Sequence, residues 1–317
     1  MNKIMLVVKL SGSLLLANYV INASLNFFKD SGGGASANAV TSISLDTLPA
    51  KLPKAIQEET NNVGVVGVTI NNDDSSLISG LYSASGIEIS PGIVLTAGHV
   101  LDLAGSDNPP PTSTQCESFQ FTDPVFVGSM KKSYSTASFK PVAYTPDLSV
   151  IKTETPNWLT KVDFGTSNTK ISTRPLKVGQ ALFFVNYEPE ANGDYRSFEA
   201  TGPAIYGGIY VGKTSYNNYR AITGLKSYGK VYDSSSRPGA SGGPVFNAAG
   251  ALVGLIVRAT NGTSSVSAYS SYLNVNLKGV KSNKSVSSSI VQPLTPSLIN
   301  EYKSKMSSSN QECHSEY

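Results

Sequence analysis

Short runs of apolar and β-branched residues, each ended by glycine, proline or asparagine, are the feature that most limits the folds open to this chain. The runs at Val63–Ile70, Gly86–Ser90 and Ile93–Thr96 have the length of strands and are too short for typical helices. Pro91 and Gly92 between the last two predict a turn, so these runs are expected to pair as a hairpin. Similar runs continue through the second half of the chain. The pattern predicts an all-β protein made of barrels or sandwiches.

The composition and charge of the chain limit the kinds of molecule that it is expected to bind. The chain has 317 residues, of which 28 are Gly, 17 Pro and 16 Tyr, while only 15% are charged and the formal net charge is +3. The one locally basic stretch, Lys278, Lys281 and Lys284, lies among Gly, Asn and Ser and has the character of a solvated loop. Nucleic acid is therefore not expected as a partner.

The amino terminus has the order of residues found in signal peptides. Lys3 and Lys9 precede a mostly apolar run from Leu10 to Ile21, and small residues follow at Ala23 and Ser24. We predict a signal peptide over residues 1–23 and a secreted or extracellular protein without stable membrane insertion once the signal is removed. An uncleaved segment would instead anchor the chain at the cell surface. Residues 24–60 are rich in Ser, Gly, Ala and Asn and are predicted to be a linker or pro-segment.

Two cysteines, Cys116 and Cys313, stand far apart in the sequence. They cannot form a metal site with each other at any usual ligand spacing. Either one long-range disulfide or two free thiols is compatible with the sequence. Near the end, Thr295 followed by Pro296 predicts the start of a helix, because threonine caps helices and proline favours the first helical position.

Chemistry is concentrated around one serine. Ser241 stands among glycines in Pro238-Gly239-Ala240-Ser241-Gly242-Gly243-Pro244, where the backbone is able to approach a substrate closely. A serine hydroxyl is a weak nucleophile unless a base, usually histidine, takes its proton. The chain has two histidines; His314 is in the terminal residues, and His99 follows an apolar strand. An ordinary Gly-rich turn and a structural histidine are the alternatives for the two motifs taken singly.

Leu95-Thr96-Ala97-Gly98-His99 together with Gly239-Ala240-Ser241-Gly242-Gly243-Pro244 resembles the paired signature of chymotrypsin-like serine peptidases, especially bacterial members without the animal disulfides. The resemblance implies two six-stranded antiparallel β-barrels with a short C-terminal helix. The N-terminal barrel would occupy residues 61–165, the C-terminal barrel and helix residues 166–306, and a flexible tail residues 307–317.

The resemblance also implies a catalytic triad of His99, Asp147 and Ser241. The family places the aspartate just before an apolar strand, as Asp147 is here, and Asp102 and Asp163 are weaker rivals. Ser241 would attack a peptide carbonyl, His99 would move the proton, and Asp147 would orient the imidazole. The backbone N–H groups of Gly239 and Ser241 would form the oxyanion hole. Substrates would be proteins or peptides, and no metal or organic cofactor is expected.

Specificity follows from the same resemblance. Ser235 would lie at the floor of the pocket for the residue before the cut, and Ile256, Val257 and Arg258 would form its wall. An uncharged floor predicts cleavage after apolar or aromatic residues. An Arg258 side chain turned into the cleft would instead favour acidic substrates.

Two departures from the animal pattern are relevant. Ala240 replaces the aspartate that receives a new amino terminus in many animal relatives, and Ala97 and Arg237 stand near the positions of missing cysteines.

Two rival functions are suggested by parts of the sequence. An esterase of the α/β-hydrolase type needs a histidine after the serine, where the sequence has only His314. A catalytically inactive binding or adhesion module on the same fold is the other alternative.

Overall fold

The structure is a computed structural model of the whole chain. It describes residues 41–44, 47–70, 80–90, 93–101, 121–128, 137–139, 147–153, 169–187, 203–214, 217–229, 239–259, 264–273 and 275–300. The predicted signal peptide and tail, both cysteines and Ser235 lie outside these residues, so the predictions for them stay predictions. No helix in the described ranges is long and apolar enough to cross a membrane.

Six antiparallel strands form the N-terminal sheet, in the order β5-β2-β3-β4-β7-β6. Their bounds are β2 Val63–Ile70, β3 Gly80–Ser90, β4 Ile93–Thr96, β5 Phe121–Gly128, β6 Ala137–Phe139 and β7 Ser149–Thr153. The predicted hairpin of β3 and β4 is confirmed, with Ile87 opposite Leu95. Pro124 of β5 lies where the register against β2 shifts, between the pair of Gly67 with Val125 and the pair of Thr69 with Thr122, so its missing N–H breaks no regular ladder bond.

A second sheet closes on itself as a six-stranded barrel. The strands follow the order β10-β9-β8-β11-β12-β15, and β15 pairs back onto β10. Their bounds are β8 Ala181–Asn186, β9 Ala204–Lys213, β10 Tyr219–Ser227, β11 Pro244–Asn247, β12 Leu252–Ala259 and β15 Ser285–Pro293, with the short β13 Ser264–Ser265 added on β15. The described protein is therefore mostly β with few helices, as the sequence predicts.

The helices and the remaining strands are peripheral. They are α1 Lys54–Glu59 with a 3-10 turn at Thr60–Asn62, α2 Gly98–Leu101, α3 Val266–Leu273, and the parallel pair β1 Thr41–Ser44 and β14 Val275–Lys278. Residues 296–300 are helical, and the Thr295 hydroxyl accepts a hydrogen bond from Leu298 N–H at 3.1 Å. Where this last helix, α4, ends lies outside the described residues.

One apolar cluster joins the N-terminal sheet to the barrel. Leu95 and Leu148, which flank the segments carrying His99 and Asp147, share it with Phe183 and Phe246 of the barrel. All four side chains are fully buried. Each buried side chain of this size contributes about 1.5–3 kcal/mol of hydrophobic free energy, so the two sheets are held together beside the candidate site.

The segment predicted as a linker or pro-segment contains packed structure. Ile43 of β1 is buried in a cluster with Ile209 and Ile222 of the barrel, and Ile56 of α1 is buried in the cluster that joins the two sheets. A Ser- and Gly-rich composition concealed these two apolar anchors. Whether the segment is removed stays a prediction, as do the domain limits near residues 60 and 165.

Candidate active site

His99 lies where a strand gives way to a helical turn. β4 ends at Thr96 and α2 begins at Gly98, so the imidazole side chain is fixed to a buried strand and remains about one third exposed, at 35%. A side chain at position 98 would crowd Asp147, because a Cβ there would lie 3.1 Å from Asp147 Oδ1. The missing side chain lets Asp147 approach the backbone of the helical turn.

The structure brings His99, Asp147 and Ser241 together in one hydrogen-bonded chain. His99 Nε2 lies 2.9 Å from Ser241 Oγ, and His99 Nδ1 lies 2.9 Å from Asp147 Oδ2. An ionised carboxylate only accepts hydrogen bonds, so Nδ1 carries a hydrogen and donates it to Asp147. In the neutral ring Nε2 is then the acceptor that faces the Ser241 hydroxyl. This arrangement allows a proton to pass from serine to histidine.

Asp147 is held in its ionised form. Its Oδ1 also accepts the backbone N–H of His99 at 2.9 Å, and its side chain is only 13% exposed. Burial by itself would raise the pKa of Asp147, but the electrostatic interaction with His99, the hydrogen bonds from its ring and backbone and the positive charge of Arg258 outweigh that effect. The pKa of Asp147 is therefore lowered from its ordinary value of 3.8.

The loop that carries Ser241 needs glycine on both sides. Gly239 and Gly242 have φ angles of +101° and +81°, a region that residues with side chains rarely adopt. A Cβ at Gly242 would also overlap Ser85 O and Thr96 Oγ1 of the N-terminal sheet. The glycines that mark the motif in the sequence are therefore required both by backbone conformation and by contact with the strands leading to His99.

A family model described as a trypsin-like peptidase domain matches residues 84–255. That range covers more than half of the chain and contains all three members of the hydrogen-bonded chain. The chain belongs to the trypsin-like peptidase family. The resemblance seen in the sequence motifs is thereby confirmed.

Among solved structures, this trypsin-like peptidase is similar to the serine endoprotease from Yersinia pestis. The two share 15% sequence identity with a TM-score of 0.47, and the match covers 82% of this chain and 67% of that one. A comparison with curated proteins found no match.

Two buried residues of the trypsin-like peptidase site were missed in the sequence. Gln292 of β15 accepts the backbone N–H of Asp147 on Oε1 at 3.1 Å, and donates from Nε2 to Pro293 O at 3.0 Å. Ser85 of β3 donates its N–H to Ser241 O at 2.8 Å. Neither lies in a recognisable motif, because each reaches the site through the pairing of distant strands.

The residues predicted for substrate binding differ in exposure. Ile256 and Val257 are 1% and 3% exposed, whereas Arg258 is exposed. The backbone of Ile256 holds the loop that carries Ser241, because its O accepts from Gly242 N at 2.7 Å and its N donates to Gly243 O at 2.8 Å. Their roles in the substrate pocket of this trypsin-like peptidase stay predictions.

Proposed function

We propose that this trypsin-like peptidase is a secreted serine endopeptidase that hydrolyses peptide bonds of proteins through an acyl-enzyme intermediate. The observation that carries the proposal is the chain of hydrogen bonds from Ser241 Oγ through the His99 ring to the Asp147 carboxylate, with 2.9 Å at each link. A carboxylate that accepts from Nδ1 and a serine hydroxyl that faces Nε2 are the arrangement that acyl transfer requires.

The mechanism follows from these contacts. Ser241 Oγ attacks the carbonyl carbon of the scissile bond while His99 Nε2 takes its proton, and His99 then gives that proton to the leaving amine. Water attacks the acyl-enzyme in the second half, with His99 again acting as the base. Asp147 stays ionised throughout, which its lowered pKa supports, and stabilises the imidazolium that forms in each half.

Gly239 and Ser241 are proposed to supply the oxyanion hole through their backbone N–H groups. Ala240 O accepts from Gly243 N at 3.0 Å, so the trans peptide between Ala240 and Ser241 has a fixed orientation. The Ser241 N–H is on the opposite side of that peptide and therefore points away from Gly243. Each correctly placed donor contributes about a hundredfold or more to the rate.

For the whole fold we propose two six-stranded barrels of the chymotrypsin type with a short C-terminal helix. One six-stranded barrel is described above. In the N-terminal sheet, the end strands β5 and β6 come within 8 Å of each other at Cα atoms, which supports closure of a second barrel.

Export and specificity belong to the same proposal. The basic residues and apolar run at the amino terminus support secretion. The uncharged Ser235 supports cleavage after apolar or aromatic residues. A peptide-library digest read by mass spectrometry tests the preference, and a dominant cut after Lys, Arg, Asp or Glu would contradict it.

The α/β-hydrolase alternative has little support. In that fold the serine opens a helix, whereas here Ser241 leads through a turn into the strand β11. An inactive binding module on the same fold is the remaining second candidate.

Casein hydrolysis separates the two candidates. Purified protein without its first 23 residues should degrade casein, and the Ser241→Ala variant should not. If both proteins are inert, the module is favoured, and if both are equally active, Ser241 is not the nucleophile.

A further inference from the structure

We propose that Ser85 is a positioning residue whose hydroxyl fixes the nucleophile loop, residues 239–243, against the N-terminal sheet. The inference rests on the proposed function, because it concerns how Ser241 and its neighbouring amides are held for acyl transfer.

Ser85 makes contacts to three distant parts of the chain. Its Oγ lies 2.9 Å from Gly239 O, and it accepts a hydrogen bond from Tyr187 N–H at 2.9 Å. A hydroxyl has one hydrogen to donate, and Gly239 O is closer than the other acceptor in reach, Tyr187 O at 3.2 Å. The backbone N–H of Ser85 donates to Ser241 O at 2.8 Å, and Thr96 Oγ1 donates to Ser85 O at 2.8 Å.

These contacts join the two sheets at the reacting atoms. Ser85 and Thr96 belong to β3 and β4, and β4 leads directly to His99, whereas Tyr187 follows the barrel strand β8. Ser85 is therefore bonded to the sheet that carries the base, to the barrel and to the loop that carries the nucleophile. Ser85 is 0% exposed, so water cannot reach it to replace a lost hydrogen-bond partner. A partner left without Ser85 therefore destabilises the folded state.

The hydroxyl acts where the loop has most conformational freedom. Gly239, at φ +101°, has no side chain to limit its rotation, and its carbonyl is held by Ser85 Oγ. Ser241 O is held by Ser85 N–H and Ala240 O by Gly243 N–H. The carbonyl groups of residues 239, 240 and 241 are therefore all hydrogen-bonded. The bonds to Ala240 O and Ser241 O come from backbone N–H groups, whereas the bond to Gly239 O comes from the Ser85 side chain and is removed by a single substitution.

The expected consequence is on catalysis more than on substrate binding. Misplacing reacting groups by about 1 Å costs on the order of a hundredfold in rate, and a lost oxyanion donor costs a similar factor. Ser85→Ala should therefore lower kcat by roughly 10- to 100-fold and change KM by less than about threefold, since the lost restraint acts on the transition state.

A matched control is available in the barrel. Ser287 of β15 is 1% exposed, and its hydroxyl has no hydrogen-bond partner among the described residues. Ser287→Ala removes the same atom from a similarly buried place and should leave kcat within about twofold of the unmodified protein.

The experiment measures kcat and KM on one peptide substrate for the protein without its first 23 residues. The Ser85→Ala, Ser287→Ala and Ser241→Ala variants of the same protein are measured beside it. Active sites are counted with a fluorophosphonate probe, so that kcat is given per reactive serine and unfolded protein does not enter it. Affinity for a peptide aldehyde, which forms a tetrahedral adduct, is measured alongside. Ser85→Ala should weaken the adduct by the same factor as kcat/KM.

The outcomes separate the two levels of the proposal. A Ser85→Ala protein with unchanged kcat per active site, whether or not it melts earlier, would show a merely structural serine and overturn the inference alone. Activity that survives in Ser241→Ala, or none in the unmodified protein, would overturn the proposed function and the inference with it.

Discussion

At the scale of single residues, Asp147 restrains His99 at two points. The Asp147 carboxylate accepts the ring Nδ1–H and the backbone N–H of His99. The backbone N–H of Asp147 itself donates to the side-chain oxygen of Gln292. Replacing Asp147 by Asn presents an amide that donates as well as accepts, which favours the wrong tautomer of the ring. We expect about a ten-thousandfold lower kcat for Asp147→Asn and a loss of several powers of ten for Ser241→Ala or His99→Ala.

Peptide hydrolysis assays and melting temperatures of the same proteins check this prediction. The second histidine supplies a matched control, because His314→Ala should leave kcat unchanged. A larger loss from Asp163→Asn than from Asp147→Asn would show that the acid was wrongly assigned.

The lowered pKa of Asp147 also predicts a pH dependence of stability. A carboxylate whose folded pKa is below its unfolded value stabilises the folded state fully above the unfolded value, here 3.8, and loses that contribution as the pH falls through the folded pKa. Urea unfolding at pH 7 and near pH 3 should therefore show a smaller loss of stability for Asp147→Asn than for the unmodified protein. Equal losses would mean that Asp147 has no shifted pKa.

At the scale of elements, the close approach of β3, β4 and the nucleophile loop depends on Gly242. An alanine there would have both an unfavourable φ of +81° and overlap with Ser85 O and Thr96 Oγ1. Gly179→Ala is the control, since its φ is +89° but its Cβ would meet Ile43 at an ordinary 3.6 Å. In both variants the left-handed backbone conformation lowers the free energy of unfolding by about 1–2 kcal/mol. Steric overlap lowers it by about 1–3 kcal/mol more at Gly242 only.

Chemical unfolding of the two variants measures that difference directly. Gly242→Ala should be the less stable by the overpacking amount and should also lose activity, while Gly179→Ala should keep its kcat. Equal destabilisation would mean that the loop does not need to lie so close to the N-terminal sheet.

Local motifs and distant pairings differ in how well the sequence predicts them. His99 and Ser241 could be predicted as site residues because each lies in a short motif whose glycine and apolar neighbours are visible in the sequence. Ser85 is one of several serines in its strand, and Gln292 precedes an unremarkable proline. Their roles depend on the register that places β3 and β15 against other strands, which no local pattern specifies.

At the scale of the whole molecule, Ile43 of β1 and Ile56 of α1 pack against residues of the barrel. The Ser-, Gly-, Ala- and Asn-rich composition of residues 24–60 predicts a linker or pro-segment, and within it β1 pairs in parallel with β14, a strand far along the chain. Ile43 is 2% exposed among barrel residues. Activation by a new amino terminus is not expected, since Ala240, which is 1% exposed, cannot form the ion pair that such activation uses.

A truncation series tests whether β1 stabilises the fold and whether a new amino terminus is needed for activity. Proteins that begin between Ser24 and Asn38 should be equally stable and equally active, whereas one that begins at Lys54 loses β1 and should unfold at lower urea concentration. Ile43→Ala isolates the anchor and should cost about 2–5 kcal/mol, against little change for Val178→Ala, whose side chain is 46% exposed. Because the active-site loop is held by Ser85, Gly243 and Ile256 rather than by a free amino terminus, kcat per reactive serine should stay constant across the series. A sharp rise of kcat at one particular starting residue would show instead that this peptidase is activated by cleavage within the segment.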